Sequence, residues 1–316
     1  MELLVEALRE AKAVVLVSHI KPDGDAVGSL LGLAQALANC GKKVTAVLYD
    51  EVPAVFSYMK STVEHTLPEG ADLCILLDAS SGSRTGFPQA IIHYEQRGAL
   101  AVIDHHPKAD LAKTVGMYLH RVDASSASEL VLELIQALGI KLTGPLCTCL
   151  LTGLYTDTGG FEFSNTTPRC LEAAAELLRR GGNLQTITRA LEADRSLTGL
   201  KLLGIALERA RSCAGGTVTY LLHSDFQHLR ASDDELHGIV NQIDHLPASL
   251  FALLLTEYDN GTVRGNIRGS ESSININGLA RLLNGGGHAK AAGFSFPGHL
   301  VQRDGWVCVE EAAQLG

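Results

Sequence analysis

Four short apolar runs in the first 104 residues constrain the fold more than any other feature of the sequence. They are AVVLVSH (13–19), KVTAVLYD (43–50), DLCILLD (72–78) and ALAVID (99–104). Each is continuous, rich in leucine or β-branched residues and bounded by turn residues, which is the pattern of strands buried on both faces. Helical periodicity fills the first gap: DAVGSLLGLAQALANC, from Asp25 to Cys40, stops at Gly41, a suitable C-terminal residue. Strands alternating with helices imply right-handed crossovers and a mostly parallel sheet flanked by helices. In such α/β sheets ligands bind outside the carboxyl ends of the strands.

A chain of 316 residues exceeds one usual domain. The spacing predicts a catalytic α/β domain over 1–185, a helical and charged connector over 186–212, and a smaller α/β domain over 213–316. In the last, TVTYLLH, SLFALLLTEYD and TVRGNIRGS read as strands of an antiparallel or mixed sheet. Asp259-Asn260-Gly261 predicts a tight hairpin turn, and Ser232-Asp233-Asp234-Glu235 a capping box that opens a helix.

The formal net charge of −9 disfavours a general duplex-binding protein, which needs a basic face to displace counterions. Acidic residues and Arg9 interrupt the apolar start, so the N-terminus predicts an amphipathic helix and not a signal peptide. No stretch has the length of a membrane span, and a cytoplasmic location is expected. The seven cysteines are scattered and mostly lie in apolar segments, as buried free thiols do.

Four short segments carry chemistry. His19, Asp23 and Asp25 lie in SHIKPDGDAVGS, a turn between a strand and a helix, with Asp25 also placed to cap that helix. Asp78 ends the third apolar run. Asp104, His105 and His106 leave the fourth, and Asp157 follows an apolar helix-like stretch in LLTGLYTDTGGF. Taken singly, each aspartate has a structural reading as a cap or turn residue. Together, four aspartates and two histidines in one crevice would repel one another without bound cations. Two divalent ions balance four carboxylates, and mixed carboxylate and imidazole ligation suits Mn²⁺, with Mg²⁺ or Co²⁺ as substitutes. Near the C-terminus, Gly285, Gly286 and Gly287 follow NGLARLLN and let backbone approach a ligand. His288 and Lys290 add donors there, and a helix starting at that point would favour an anion.

HIKPDGDAVGS, LLDAS, DHHP and TDTGGF together resemble the four motifs of the DHH phosphoesterases, in the order that family has them. GGGHAKAAG is similar to the signature of the DHH-associated C-terminal domain. The resemblance implies that His19 and Asp23 bind one metal ion, that Asp25, His105 and Asp157 bind a second, and that Asp78 bridges both. It leaves His106 to approach the phosphate, with Asp104 orienting a histidine. It gives Arg84 a phosphate contact. Arg268 matches the arginine of an Arg-Ser pair, whose serine is replaced by Gly269 with Ser270 one place on. Gly286, Gly287, His288 and Lys290 would bind the nucleotide. The chemistry implied is attack on phosphorus by a water that two metal ions activate.

Within the family, the two-domain plan is similar to oligoribonucleases that also convert 3′-phosphoadenosine 5′-phosphate to AMP. The expected partners are therefore short single-stranded RNA or small nucleotides, with no long duplex and no membrane, and a homodimer left open. The low aromatic content of 5% gives few stacking platforms for a long strand. Three alternatives remain: a phosphodiesterase of cyclic or linear dinucleotides (c-di-AMP, pApA or pGpG), a family-type inorganic pyrophosphatase, and a non-catalytic nucleotide- or RNA-binding module.

Overall fold

The computed structural model describes the chain except for residues 107–109, 194–195, 237–238, 245–249, 270–274, 289–290, 304–305 and 311–316. It divides into two compact units, Met1–Asp194 and Arg195–Gly316.

The first unit opens with α1 (Glu2–Glu10), β1 (Ala13–Val17), α2 (Gly24–Asn39), β2 (Lys43–Val47), β3 (Leu73–Leu77), α3 (Pro88–Gln96), β4 (Leu100–Asp104) and β5 (Met117–His120). It closes with α4 (Ala127–Ala137), α5 (Gly144–Asp157), α6 (Pro168–Arg179) and α7 (Leu184–Ala193). The five strands form one all-parallel sheet in the order β2-β1-β3-β4-β5. Their side chains alternate between two apolar cores. Val14, Leu16, Ile75, Leu77, Ala101 and Ile103 face a large core with residues of α1, α2, α4 and α5. Val15, Val17, Cys74, Leu76 and Val102 face a smaller one closed by Ile91 and Tyr94 of α3. Burial on both faces is why these strands read as unbroken apolar runs. β5 was not foreseen: MYLH is short, half-exposed and polar at its end, because it is the sheet's edge.

Order 2-1-3-4-5 reverses direction between β1 and β3, and the crevice at that switch point is where such sheets bind ligands. The loops leaving these strands are tied together there. Ser18 Oγ donates to Leu77 O at 2.7 Å, and Ile20 N–H to Arg84 O at 2.7 Å. Behind them α2 and α5 pack unusually close. A Cβ on Gly28 would stand 2.5 Å from Cys149 O, and one on Gly153 2.4 Å from Asp25 Oδ1, so only glycine fits at these two crossings.

The second unit holds α8 (Leu197–Arg209), β6 (Arg211–Cys213), β7 (Gly216–Leu221), α9 (His223–Leu229), α10 (Ile239–Asp244), β8 (Ala252–Glu257) and β9 (Thr262–Arg268). α11 (Ile276–Leu282), β10 (Gly286–His288), β11 (Ala291–Pro297), β12 (His299–Arg303) and β13 (Trp306–Glu310) complete it. Its six-stranded sheet, ordered β10-β11-β9-β8-β7-β6, is mixed: β7 runs parallel to β8 and the other pairs are antiparallel. β12 and β13 make a separate hairpin. The Asp259-Asn260-Gly261 turn joins β8 to β9 as expected, with Gly261 at φ +69°. Ser232 opens only a short 3-10 turn, Asp233–Leu236. The capping box fails because the Glu235 carboxylate accepts from Ser196 Oγ, the N-cap of α8, and so does not fold back on its own turn. The stretch 186–212 is two helices, α7 packing on α5 in the first unit and α8 on β7 in the second.

All seven cysteines are free, and Cys74, Cys147, Cys149 and Cys170 are buried. No helix among the described residues is long and apolar enough to cross a membrane.

Candidate metal centre at the strand ends

The aspartates and histidines singled out in the first unit meet at the carboxyl edge of its sheet. His19 follows β1 and Asp78 follows β3, so the two flank the switch point. Asp78 has φ +55°, a left-handed conformation that asparagine and aspartate tolerate better than other side chains. Asp104 ends β4, His105 and His106 come next, and Asp157 is the last residue of α5. Asp23 caps α2, its Oδ1 accepting from Asp25 N–H at 3.1 Å and Ala26 N–H at 3.0 Å. The cap expected at Asp25 therefore belongs to Asp23. Asp25 points across to another helix: its oxygens accept from Ala127 N–H at 2.5 Å and Ser128 N–H at 2.9 Å, the first turn of α4. A carboxylate is favoured there by the orphan donors and by the helix dipole.

Three groups of ligand atoms have spacings that can hold a cation: His19, Asp23 and Asp78; Asp25, His105 and Asp157; and Asp78, His105 and His106. Asp78 links them. Its Oδ2 lies 3.4 Å from His19 Nε2, and its Oδ1 lies 3.6 Å from His105 Nε2 and 3.2 Å from His106 Nδ1. His105 Nε2 is 3.4 Å from Asp157 Oδ2, and His19 Nε2 is 3.8 Å from Asp23 Oδ1.

The tautomers follow from what stands behind each ring. His19 Nδ1 lies 2.8 Å from Ile20 O, and His105 Nδ1 lies 3.2 Å from Ala124 O. A carbonyl only accepts, so both Nδ1 atoms carry the proton and both Nε2 lone pairs face the carboxylates. This is the arrangement of a metal-binding imidazole held from behind. His106 is turned the other way. Its Nδ1 faces Asp104 Oδ1 at 3.0 Å, and its backbone N–H donates to the same oxygen at 3.1 Å. Asp104 is fully buried and orients His106, whose ring is about two-fifths exposed.

Charge crowding marks the same residues. Burial pushes Asp25 up, and the charges of Asp78 and Asp157 push it further. Burial, with Asp78 and Asp23 adding to it against His105, raises Asp157 to about 6. Burial alone would also lift Asp78, but His106 and His19 hold it well below the usual carboxylate range. Burial would depress His19, yet the facing carboxylates of Asp23 and Asp78 raise it to about 10. Asp104 and Asp78 raise His106 likewise to about 10.

The residues fit divalent cations. Asp78 Oδ1 and His105 Nε2 are buried and have no hydrogen-bond partner, a costly state for polar atoms unless a ligand satisfies them. The donors are carboxylates and imidazoles, which suit hard or borderline divalent ions.

A supporting layer escaped the sequence reading. Asn165 Nδ2 donates to Ser125 O and to Asp157 O, both at 3.1 Å, joining the segment behind His105 to the end of α5. Buried Glu129 clamps that segment, accepting from Ser125 Oγ at 2.7 Å and pairing with Arg121 at 2.6 Å. His120 Nε2 bonds His106 O at 2.6 Å. Of these, only the polar residues inside an apolar helix start (SSASEL) leave a trace in the sequence.

Arg84 is exposed on the turn after β3, its carbonyl held by Ile20. In the second unit, Arg268 ends β9 and pairs in register with Ala252 and Ala291. Gly286, Gly287 and His288 form β10, an edge strand paired with β11. The helix expected after the glycines is thus a strand, because the segment folds back as a hairpin. α11 is closed by Asn284 at φ +55°, one residue before the glycine triplet. Ser270 and Lys290 lie outside the described residues.

Comparison with known proteins agrees with this architecture. The model of the DHH family N-terminal domain matches residues 13–154, and that of the DHHA1 domain matches residues 215–311. The bifunctional oligoribonuclease and PAP phosphatase NrnA of Thermus thermophilus is 34% identical over 310 residues, covering 94% of this chain and 89% of that protein. Its Bacillus subtilis namesake is 30% identical over 302 residues, 92% of each chain. Among solved structures, an exopolyphosphatase-related protein from Bacteroides fragilis superposes with a TM-score of 0.80 at 26% identity, over 93% of this chain and 90% of the other. The chain belongs to the DHH family, its DHH domain followed in sequence by a DHHA1 domain.

Proposed function

We propose that this chain is a hydrolase that cuts short oligoribonucleotides to mononucleotides and 3′-phosphoadenosine 5′-phosphate to AMP, with two divalent cations, Mn²⁺ foremost. The observation that carries the reading is the buried, partnerless pair Asp78 Oδ1 and His105 Nε2, set among carboxylates at the switch point of the sheet. The two NrnA relatives, named for both activities, align along nearly the whole chain.

His19, Asp23 and Asp78 would hold one cation, and Asp25, His105 and Asp157 the other, with Asp78 shared. Bound there, the cations would lower the pKa of a water and neutralise charge on the phosphoryl oxygens. The protein's own part is to aim and to exclude. Ile20 O and Ala124 O fix the two ligand imidazoles, and α4 and Asn165 fix the carboxylates of Asp25 and Asp157. His106, charged at neutral pH through Asp104 and Asp78, would give the proton on its free Nε2 to the leaving oxygen. Arg84 would take a non-bridging phosphate oxygen. Arg268, Ser270, Gly286, Gly287, His288 and Lys290 of the DHHA1 domain would receive the rest of the nucleotide.

The test is product release from a 5′-labelled RNA dinucleotide and from 3′-phosphoadenosine 5′-phosphate, with Mn²⁺ or with chelator, and with Asp78→Asn as the inactive control. Metal-dependent release of mononucleotide and AMP, lost in the variant, is expected. No turnover of either by folded, metal-loaded protein would replace this reading with cyclic dinucleotide cleavage or a binding role.

A further inference from the structure

The edge of the sheet that carries the metal cluster also presents an aromatic side chain which the cluster does not use. Val17 and Val47 are partners in register on adjacent parallel strands. His19 lies two residues past the first and Tyr49 two past the second, on strands about 4.8 Å apart. Cross-links keep the loops together beyond the strands. Lys21 N–H donates to Asp50 Oδ2 at 2.6 Å, and Ile20 N–H to Arg84 O at 2.7 Å.

The Tyr49 ring rests on Gly86, where a Cβ would come within 2.5 Å of its Cγ. Gly86 has φ +80°, so the turn can form and leave its upper side bare for the ring. Phe87 meets the ring edge-on, with centroids 5.6 Å apart. Held from below and from one side, Tyr49 is still 56% exposed, and neighbouring Ile20 is 40% exposed. Its hydroxyl makes no hydrogen bond among the described residues, so the ring is not placed there for its polar end. The result is a rigid, open aromatic face with an exposed arginine on the same turn and the metal cluster one loop away.

We propose that Tyr49, backed by Gly86 and Phe87, is the stacking platform for the nucleobase next to the scissile phosphate, while Arg84 holds that phosphate. The proposal rests on the phosphoesterase reading above. Every base offers a π-face, so stacking is tolerant of sequence, and it restrains a dinucleotide that is too short to be gripped along its backbone. Purines, with the larger face, should bind more tightly than pyrimidines.

The experiment compares kcat and KM of wild type, Tyr49→Phe, Tyr49→Leu and Tyr49→Ala in Mn²⁺. The substrates are ApA, UpU, 3′-phosphoadenosine 5′-phosphate and the abasic 1-deoxyribose 3,5-bisphosphate. Losing one base stack should raise KM for the base-bearing substrates about tenfold in the Leu and Ala variants, more for ApA than for UpU, with kcat changed less than twofold. Tyr49→Phe should match wild type, and kcat/KM for the abasic compound should not distinguish the four proteins. An equal loss on the abasic compound would make Tyr49 a structural residue. Unchanged KM in both variants would remove it from the site. Wild type that cleaves none of the substrates would overturn the phosphoesterase reading itself, a failure distinct from the other two.

Discussion

Asp78 concentrates the demands of the site in one residue: it is buried, sits in the left-handed region, and faces three imidazoles. Asp78→Asn keeps the shape and tolerates that backbone, so the variant should fold with a Tm near wild type while metal affinity falls by more than about 100-fold. Asp78→Ala should be less stable than Asp78→Asn by about 1 kcal/mol or more, since alanine pays the left-handed penalty without local hydrogen bonding. Thermal scans with and without Mn²⁺ separate the two effects. The same groups set a pH dependence. His19 and His106 keep their protons to about pH 10 in the folded metal-free protein, against an ordinary 6.5, so their contribution is full below 6.5 and fades up to 10. Asp157, raised from 3.8 to about 6, also makes stability fall as pH rises between those values. Asp78, held low, loses its contribution only below its ordinary range. The Tm of chelated protein should therefore fall from pH 5 to pH 9. Cations must displace the His19 proton, so the Mn²⁺-induced rise in Tm should grow over that interval. A rise that is flat or shrinking with pH would rule the cluster out as the metal site.

At the scale of elements, the helix pair α2 and α5 sets the depth of the site, because Asp23 and Asp25 start one helix and Asp157 ends the other. Gly153 stands where they cross, and a Cβ there would lie 2.0 Å from Ser128 Oγ as well as 2.4 Å from Asp25 Oδ1. Gly153→Ala must separate α5 from α2 and α4, which should cost about 1–3 kcal/mol in denaturant unfolding and weaken metal binding without touching a ligand. Unaltered Mn²⁺ affinity in a destabilised Gly153→Ala protein would show that the site does not depend on this spacing. These relations explain what the sequence could disclose. β1, β3 and β4 were legible because strands covered on both faces are apolar throughout, and an aspartate or histidine ending such a run stands out. β5, β12 and β13 were not, since MYLH, HLVQR and WVCVE carry neither an unbroken apolar run nor a clean alternation. The bond pattern of Asn165 was hidden for another reason: it joins two backbone carbonyls, one of them 40 residues away, and a carbonyl has no residue type to read. Likewise Asp25 reads as a cap of its own helix, and only the tertiary fold turns it towards α4.

For the whole molecule, the net charge of −9 and a pI near 5.7 decide how RNA can be held. An acidic protein does not gather polyanions through its general field, so attraction must be local, at the cations and at single arginines such as Arg84. Each phosphate neutralised by protein cations adds about −0.7 to the slope of log K against log salt for single strands. Two such contacts give a slope no steeper than about −1.4 for a dinucleotide, and the slope should barely change as the RNA lengthens, because no basic track exists for added phosphates to follow. Chelation acts on a different quantity. Removing the cations leaves a crevice of carboxylates facing the phosphate, so binding of a dinucleotide should be abolished by chelator at any salt concentration, while added salt only weakens it. Titrating labelled dinucleotide and a ten-nucleotide RNA into Asp78→Asn and wild type, over a salt series with Ca²⁺ or chelator, measures both terms. A slope that steepens with length would place an extended basic surface on this protein and argue for long single strands as its substrate. A constant, shallow slope with complete dependence on cations would tie recognition to the metal centre and its immediate neighbours.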